Sequence, residues 1–230
     1  RALSALVKKN DKGTSFLERH NLAEAYDAWV KSKPILNFTG YAYELMKYVP
    51  VTEDNEWHPK AVMPKEEYII NTFNKQFNQI VTTAKNGMNT DSSFICAIDV
   101  SLSMTSKTNG TNFSAYQVAL SMALYFSELL TGQLHNQFIQ FSTKAKLSSF
   151  KGKTPIEKLT NFTPDDMGST NFLAVAKIFA NLKKIGIDED LLPKGVICIS
   201  DGEFNRSGND TNFHKFMRIL RKARFSDGFI

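Results

Sequence analysis

The sequence predicts an α/β protein: a doubly wound, mostly parallel sheet flanked by helices, preceded by an α-helical segment. Three observations predict it. From residue 93 onward, short apolar runs alternate with amphipathic stretches at helical spacing. Two of those runs, residues 94–99 and 196–201, are almost continuously apolar and then end on an aspartate, as expected of strands covered on both faces. Residues 1–92 show only the helical period.

The 230 residues, 42% hydrophobic and 12% aromatic, suffice for a full core. No run approaches the ~20 apolar residues of a membrane span, so no membrane partner is expected. The start, Arg1-Ala-Leu-Ser, has neither an initiator Met nor a signal peptide and points to a piece of a longer chain. Cys96 and Cys198 both sit in apolar runs. They read as buried thiols in a reducing compartment, which makes the expected location intracellular and cytoplasmic. The net charge of +5 is uneven, with +1 in residues 1–92 and +4 in residues 93–230. That mild bias permits an acidic partner or nucleic acid without requiring either.

Taken in order, Asn21 is expected to cap a helix over 22–33, with Leu22, Ala25, Tyr26 and Trp29 on one face and Pro34 as its stop. Thr39 is expected to cap a short helix through Tyr48. Residues 51–64, with two prolines and mixed charge, read as a loop. Residues 65–85 carry a wide apolar stripe of Ile69, Ile70, Phe73, Phe77, Ile80, Val81 and Ala84, closed by Asn86-Gly87. Beyond residue 92 the reading is strand 94–100, helix 114–130, a pair of strands at 136–142 and 146–150, and a short helix opened by Pro155. A helix over 170–184, a second buried strand 195–200 and a helix 212–224 follow. Phe229-Ile230 would begin another strand.

The chemistry concentrates where the apolar runs end. In Phe94-Ile-Cys-Ala-Ile-Asp99-Val-Ser101-Leu-Ser103 an acid and two hydroxyls follow the strand at alternate positions. Ligands of open α/β sheets sit beyond the carboxyl ends of such strands. Three hard oxygen donors within five residues suit a hard cation, Mg²⁺ first. The alternative is an Asp-Ser turn that caps the next helix. The second stretch, Val196-Ile-Cys-Ile-Ser-Asp201-Gly202-Glu203, repeats the form, and each cysteine stands three residues before its aspartate. Neighbouring strands in equal register would bring Asp99 and Asp201 to one rim and make the two thiols neighbours. The third stretch is Met167-Gly168-Ser169-Thr170-Asn171-Phe172. There Gly168 is expected to allow a tight approach of backbone to the site, and Thr170 to open a helix with a free hydroxyl. Two carboxylates would offset a divalent charge, three hydroxyls would add neutral ligands, and a partner carboxylate, phosphate or water would complete the shell.

Other features carry less. A phosphatase of the haloacid-dehalogenase type needs a second Asp two residues after the first; Ser101 stands there, so the general acid is missing. Lys107-Thr108 beside Asn109-Gly110 lacks the spacing of a phosphate loop. His20, His58, His135 and His214 are scattered. Lys215, Arg218 and Lys222 share a helix face that could meet phosphate or RNA, although cations near a helix C-terminus are favoured by the dipole alone. Lys144, Lys146, Lys151 and Lys153 read as edge-strand lysines.

Asp99-x-Ser101-x-Ser103, then Thr170 in Gly-Ser-Thr-Asn-Phe, then Asp201 in Ser-Asp-Gly-Glu, resembles the metal-ion-dependent adhesion site of von Willebrand factor A domains over residues 93–230. The resemblance implies Mg²⁺ or another divalent cation held directly by Ser101 and Ser103. Thr170 would act directly or through water, and Asp99 and Asp201 largely through water, with a partner's acidic group in the open position. It also implies further strands after the last helix, so 93–230 is expected to be incomplete at its C-terminus. Over the whole chain, Phe38-Thr-Gly-Tyr-Ala-Tyr-Glu-Leu and the helices before the domain resemble Ro/TROVE-like proteins and their phage or viral relatives. In that group helical repeats bind small structured RNA, which makes residues 1–92 the end of a repeat domain. The expected function is a non-catalytic, Mg²⁺-dependent docking module of an intracellular Ro-like ribonucleoprotein. The alternative is an interaction or scaffold module of a viral or phage assembly.

Overall fold

A computed structural model describes residues 2–53, 58–88, 94–107, 112–204 and 211–225. The N-terminal part holds the helices α1 (Ala2–Val7), α2 (Phe16–Arg19) and α3 (Ala23–Ser32), a 3-10 turn (Ala42–Tyr48) and the long helix α4 (Glu67–Gly87). Between the last two lies a hairpin, β1 (Val51–Glu53) and β2 (Pro59–Ala61), where a loop was expected. Pro59 is tolerated because this two-stranded ribbon has only edges.

Three details of the N-terminal reading change. Asn21 does not cap α3. It takes the left-handed conformation (φ 53°) that closes α2, with Leu22 N–H donating to Leu17 O and Asn21 N–H to Glu18 O. The inward face of α3 is Tyr26 and Val30, while Leu22, Ala25 and Trp29 are exposed, because the helix starts at Ala23 and turns with its own phase. Thr39 does not cap the next turn either. That turn begins at Ala42, and Glu44 reaches back to accept the Tyr41 N–H at 3.1 Å.

The sheet is built from β3 (Phe94–Asp99), β4 (Gln137–Phe141), β5 (Ala145–Ser149) and β6 (Gly195–Ile199), in the order β5-β4-β3-β6. β3 is parallel to β4 and β6, and β5 is antiparallel to β4. Helices α5 (Ala115–Leu129), α6 (Pro155–Thr160), α7 (Leu173–Lys184) and α8 (Asn212–Lys222), with 3-10 turns at Leu102–Thr105, Gly132–Leu134 and Glu189–Leu191, complete the described elements. Capping boxes start α5 at Ser114 and α6 at Thr154.

Alternation along β3 assigns the layers. Cys96 and Ile98 face a core shared with α4, α5 and α6, whereas Ile95 and Ala97 face a second core shared with α7 and α8. The first core is continuous with the N-terminal part: Phe73 and Phe77 of α4, Leu45 and Met46 of the turn and Tyr116 of α5 belong to one cluster. From β3 the chain moves outward to β4 and β5, then returns to the opposite side of β3 as β6. The strand order therefore reverses between β3 and β6, and a crevice forms at their carboxyl ends. β6 is outermost among the described residues. Its Val196–Ile199 stretch is half-buried, where a strand as buried as β3 was expected. The strand read at Phe229-Ile230 lies outside the described residues. No helix among them is long and apolar enough to cross a membrane.

Candidate functional site

Asp99 ends β3 and is fully buried. Its Oδ1 accepts the backbone N–H of Ser101 at 2.9 Å, the local Asp–Ser turn. A 3-10 turn, Leu102–Thr105, follows with Ser101 at its N-cap, yet the Ser101 side chain makes no capping bond. Capping alone therefore does not account for the hydroxyls. Ser101 Oγ stands 3.2 Å from Ser103 Oγ and accepts the Thr170 hydroxyl at 3.0 Å. Ser101 and Thr170 are buried and Ser103 is partly exposed. Leu102, between the two serines, is turned outward and 58% exposed.

Thr170 does not open a helix. α7 starts at Leu173, and the backbone before it is held by the β4–β5 turn. Asn171 N–H donates to Ser142 O (2.8 Å), Ser169 N–H to Thr143 Oγ1 (3.2 Å), and Leu102 N–H to Met167 O (3.2 Å). Gly168 does make a close approach, but to Thr143 of the β4–β5 turn and not to the cluster: a Cβ at residue 168 would collide with Thr143 Oγ1. Asp166 locks the same loop, accepting the Ser142 hydroxyl at 2.8 Å and the Gly168 N–H at 3.1 Å. The Ser142 hydroxyl foremost, with Thr143 and the Gly168 N–H, holds the Asp166 carboxyl below its usual range against a small opposing effect of burial.

The strand register differs by one residue from equal spacing. Cys96 pairs with Ile197, Ala97 with Cys198 and Ile98 with Ile199. The next residue opposite Asp99 is thus Ser200, whose hydroxyl donates to Asp99 Oδ2 at 2.7 Å. Asp201 lies one step beyond, on the exposed turn, and its Oδ1 accepts the Glu203 N–H at 3.1 Å. The fold thus joins Asp99, Ser101, Ser103 and Thr170 in one hydrogen-bonded set, with Asp201 on the adjoining turn but not bonded into it. The offset also places the thiols on opposite faces, Cys96 toward α5 and Cys198 toward α7 and α8. Burial pushes the Cys198 thiol up to about 12, and the Asp99 carboxylate adds to the rise.

Ser200, Thr143 and Asp166 were missed by sequence reasoning. A hydroxyl directly before Asp201 was a signal for the first; a lone Thr in a hairpin turn gives none. Among the described residues no three His, Cys, Asp or Glu side chains gather. Arg218 and Lys222 are exposed on α8 and Lys215 is half-buried, opposite the buried Phe216 and Leu220. Lys146 on edge strand β5 pairs with Asp165 at 2.6 Å.

Fold and site together define a three-layer α/β domain with a carboxylate–hydroxyl cluster at the point where its strand order reverses. The chain belongs to the family described as a domain of unknown function (DUF7788), which matches residues 92–228 and so takes in every residue of this cluster. No curated protein and no solved structure matches the chain.

Proposed function

We propose that Asp99, Ser101, Ser103, Thr170 and Asp201 hold Mg²⁺ or another divalent cation, and that the chain is a non-catalytic docking module of von Willebrand factor A type. The observation that carries this reading is the hydroxyl triad. The Oγ separations of 3.2 Å and 3.0 Å suit adjacent ligands of an octahedral Mg²⁺, which at 2.0–2.1 Å from the ion stand about 2.9 Å apart. The donors are hard oxygens, the class this ion prefers. Ser101, Ser103 and Thr170 would supply neutral ligands, and Asp99 and Asp201 would balance the charge. When bound, the ion offers a coordination position to an acidic group of a partner.

The chain's own residues prepare that arrangement. Ser200 and the Ser101 N–H fix both oxygens of Asp99. The loop from Asp166 to Asn171, pinned on Thr143 and Ser142, carries Thr170 to Ser101. Ser101 occupies the position at which a phosphatase of this outline would need its general acid, which favours holding over turnover.

Titration calorimetry with MgCl₂ tests the reading. The native chain should bind one ion, and Ser101→Ala combined with Ser103→Ala should abolish the heat; unchanged binding by the double variant rejects the site. The Ro-like resemblance extends the proposal to an RNA-containing particle. Small RNA co-purifying with the protein from cells supports that extension, and its absence favours the scaffold alternative.

A further inference from the structure

An open cavity of about 880 Å³ lies between the N-terminal part and the start of α5. Segments far apart in sequence meet around it: the end of α1, the turn Ala42–Tyr48, the start of β1, the start of α4 and the residues before α5. Its size falls within the roughly 300–1,000 Å³ of small-molecule sites. It shares no residue with the carboxylate–hydroxyl cluster.

The wall is largely apolar, with Met46, Val51, Ile69 and Phe113 among its residues. Its charged members are Lys8, Lys9, Lys47 and Glu66. Lys9 and Glu66 neutralise each other at 2.5 Å. Lys8 and Lys47 remain, and neither forms an ion pair among the described residues. Lys47 Nζ lies 5.4 Å from the Phe38 ring centre and 5.0 Å from that of Tyr48. Packing around this ammonium lowers its pKa from the usual lysine value, and Glu44 offsets the effect only in part. A cation beside aromatic rings, with Glu44 nearby but no ion-pair partner among the described residues, is improved by an anionic ligand. Gln117 adds a polar edge. Its Oε1 accepts the Ser114 N–H at 2.9 Å, and its Nε2 has no partner among the described residues.

These features narrow the ligand. Two lysines without an ion-pair partner among the described residues match a dianionic phosphate monoester. Apolar and aromatic walls disfavour bare phosphate or a sugar phosphate, and the amide donor disfavours a plain fatty acid. We propose that the cavity binds a nucleoside monophosphate, its phosphate between Lys8 and Lys47 and its base against Phe113 and Gln117. This assignment is independent of the cation site.

Titration calorimetry of the whole chain in EDTA, which silences the cation site, tests it. The probes are AMP, GMP, CMP, UMP, adenosine and inorganic phosphate. At least one nucleotide should saturate at one per chain, with adenosine and phosphate at least about tenfold weaker. Lys8→Gln and Lys47→Gln should each weaken that nucleotide about tenfold, the scale of one charged hydrogen bond. Lys47 packs on two rings and its variant could misfold; exposed Lys8 then decides alone. A 5′-phosphorylated dinucleotide that binds no tighter than the mononucleotide assigns a free nucleotide. One that binds tighter assigns the same base-and-phosphate recognition to a nucleic-acid end. Absence of heat with every nucleotide at millimolar concentration overturns the proposal. So does phosphate or adenosine binding as well as the best nucleotide, or a Lys8→Gln chain that binds it unchanged.

Discussion

β3 and β6 lie side by side and point the same way, and an aspartate stands at the end of one and two residues past the end of the other, yet the two exits do different work. At the exit of β3, Asp99 is fully buried and both its oxygens are engaged, by Ser101 N–H and the Ser200 hydroxyl. At the exit of β6, Asp201 is exposed and, among the described residues, accepts only from its own turn. The cause is the one-residue offset in register, which sets Ser200 rather than Asp201 opposite Asp99. One carboxylate is thereby part of the framework, and the other is left available to a ligand.

The largest expected effect breaks the framework side. Asp99→Ala removes the acceptor of a buried N–H and a hydroxyl, each costly when left unpaired, and should destabilise the fold by about 3 kcal/mol in urea denaturation. Asp201→Ala, on an exposed turn, should stay within about 0.5 kcal/mol. Equal losses at the two positions would erase the contrast.

The next effect tests what presents Thr170 to the buried exit. Gly168→Ala sets a Cβ against Thr143 Oγ1 and should cost about 2 kcal/mol as an overpacked contact. Removing the obstacle in Gly168→Ala/Thr143→Ala should recover part of the loss, although Ser169 N–H then lacks its acceptor. If the double variant is less stable than Gly168→Ala alone, the Thr143 clash is not the cause.

Which parts of this were legible follows from what each signal depends on. β3 was readable because four consecutive residues, Ile95 to Ile98, are buried, so apolar continuity alone marks the strand. The stripe of α4 was readable for the same reason, through Phe73, Phe77 and Val81. The donor set around Asp99 and Ser101 was also visible, since alternation at a strand end needs no tertiary information. Register was not. Counting from cysteine to aspartate assumes both strands begin level, and nothing local says that Phe94 pairs with Gly195. Thr170 resembled a helix cap because capping is a local preference, but hydrogen bonds to the β4–β5 turn, about 26 residues upstream, hold its neighbours outside the helix. The hairpin β1–β2 was hidden because its strands are three residues each and one begins with proline.

A smaller effect concerns acid. Asp166 is held below the usual carboxylate range when folded, chiefly by Ser142. A depressed folded pKa means stability that is present above the ordinary carboxylate value and lost as pH falls through the folded one. The stability curve of Asp166→Asn should therefore be flatter below about pH 4 than that of the native chain. A curve of unchanged slope would remove Asp166 as the lock of the loop. Because this carboxylate is exposed, the difference should be small and should shrink in high salt.

The smallest change in stability carries the sharpest test of the contrast. Asp201→Asn keeps shape and hydrogen-bonding capacity on an exposed turn, so the unfolding midpoint should hardly move. If Asp201 balances the charge of a bound divalent ion, the same substitution should weaken Mg²⁺ about tenfold by calorimetry, since one of two carboxylates is gone. Ser200→Ala should do the reverse. It leaves Asp99 Oδ2 without its donor and should cost about 1 kcal/mol of stability, while removing none of the five proposed ligands. Measured side by side, the two neighbours separate holding the fold from holding the ion. Should Asp201→Asn leave Mg²⁺ affinity intact, the cation, if bound, rests on the β3 exit and Thr170 alone, and the turn after β6 has no part in it.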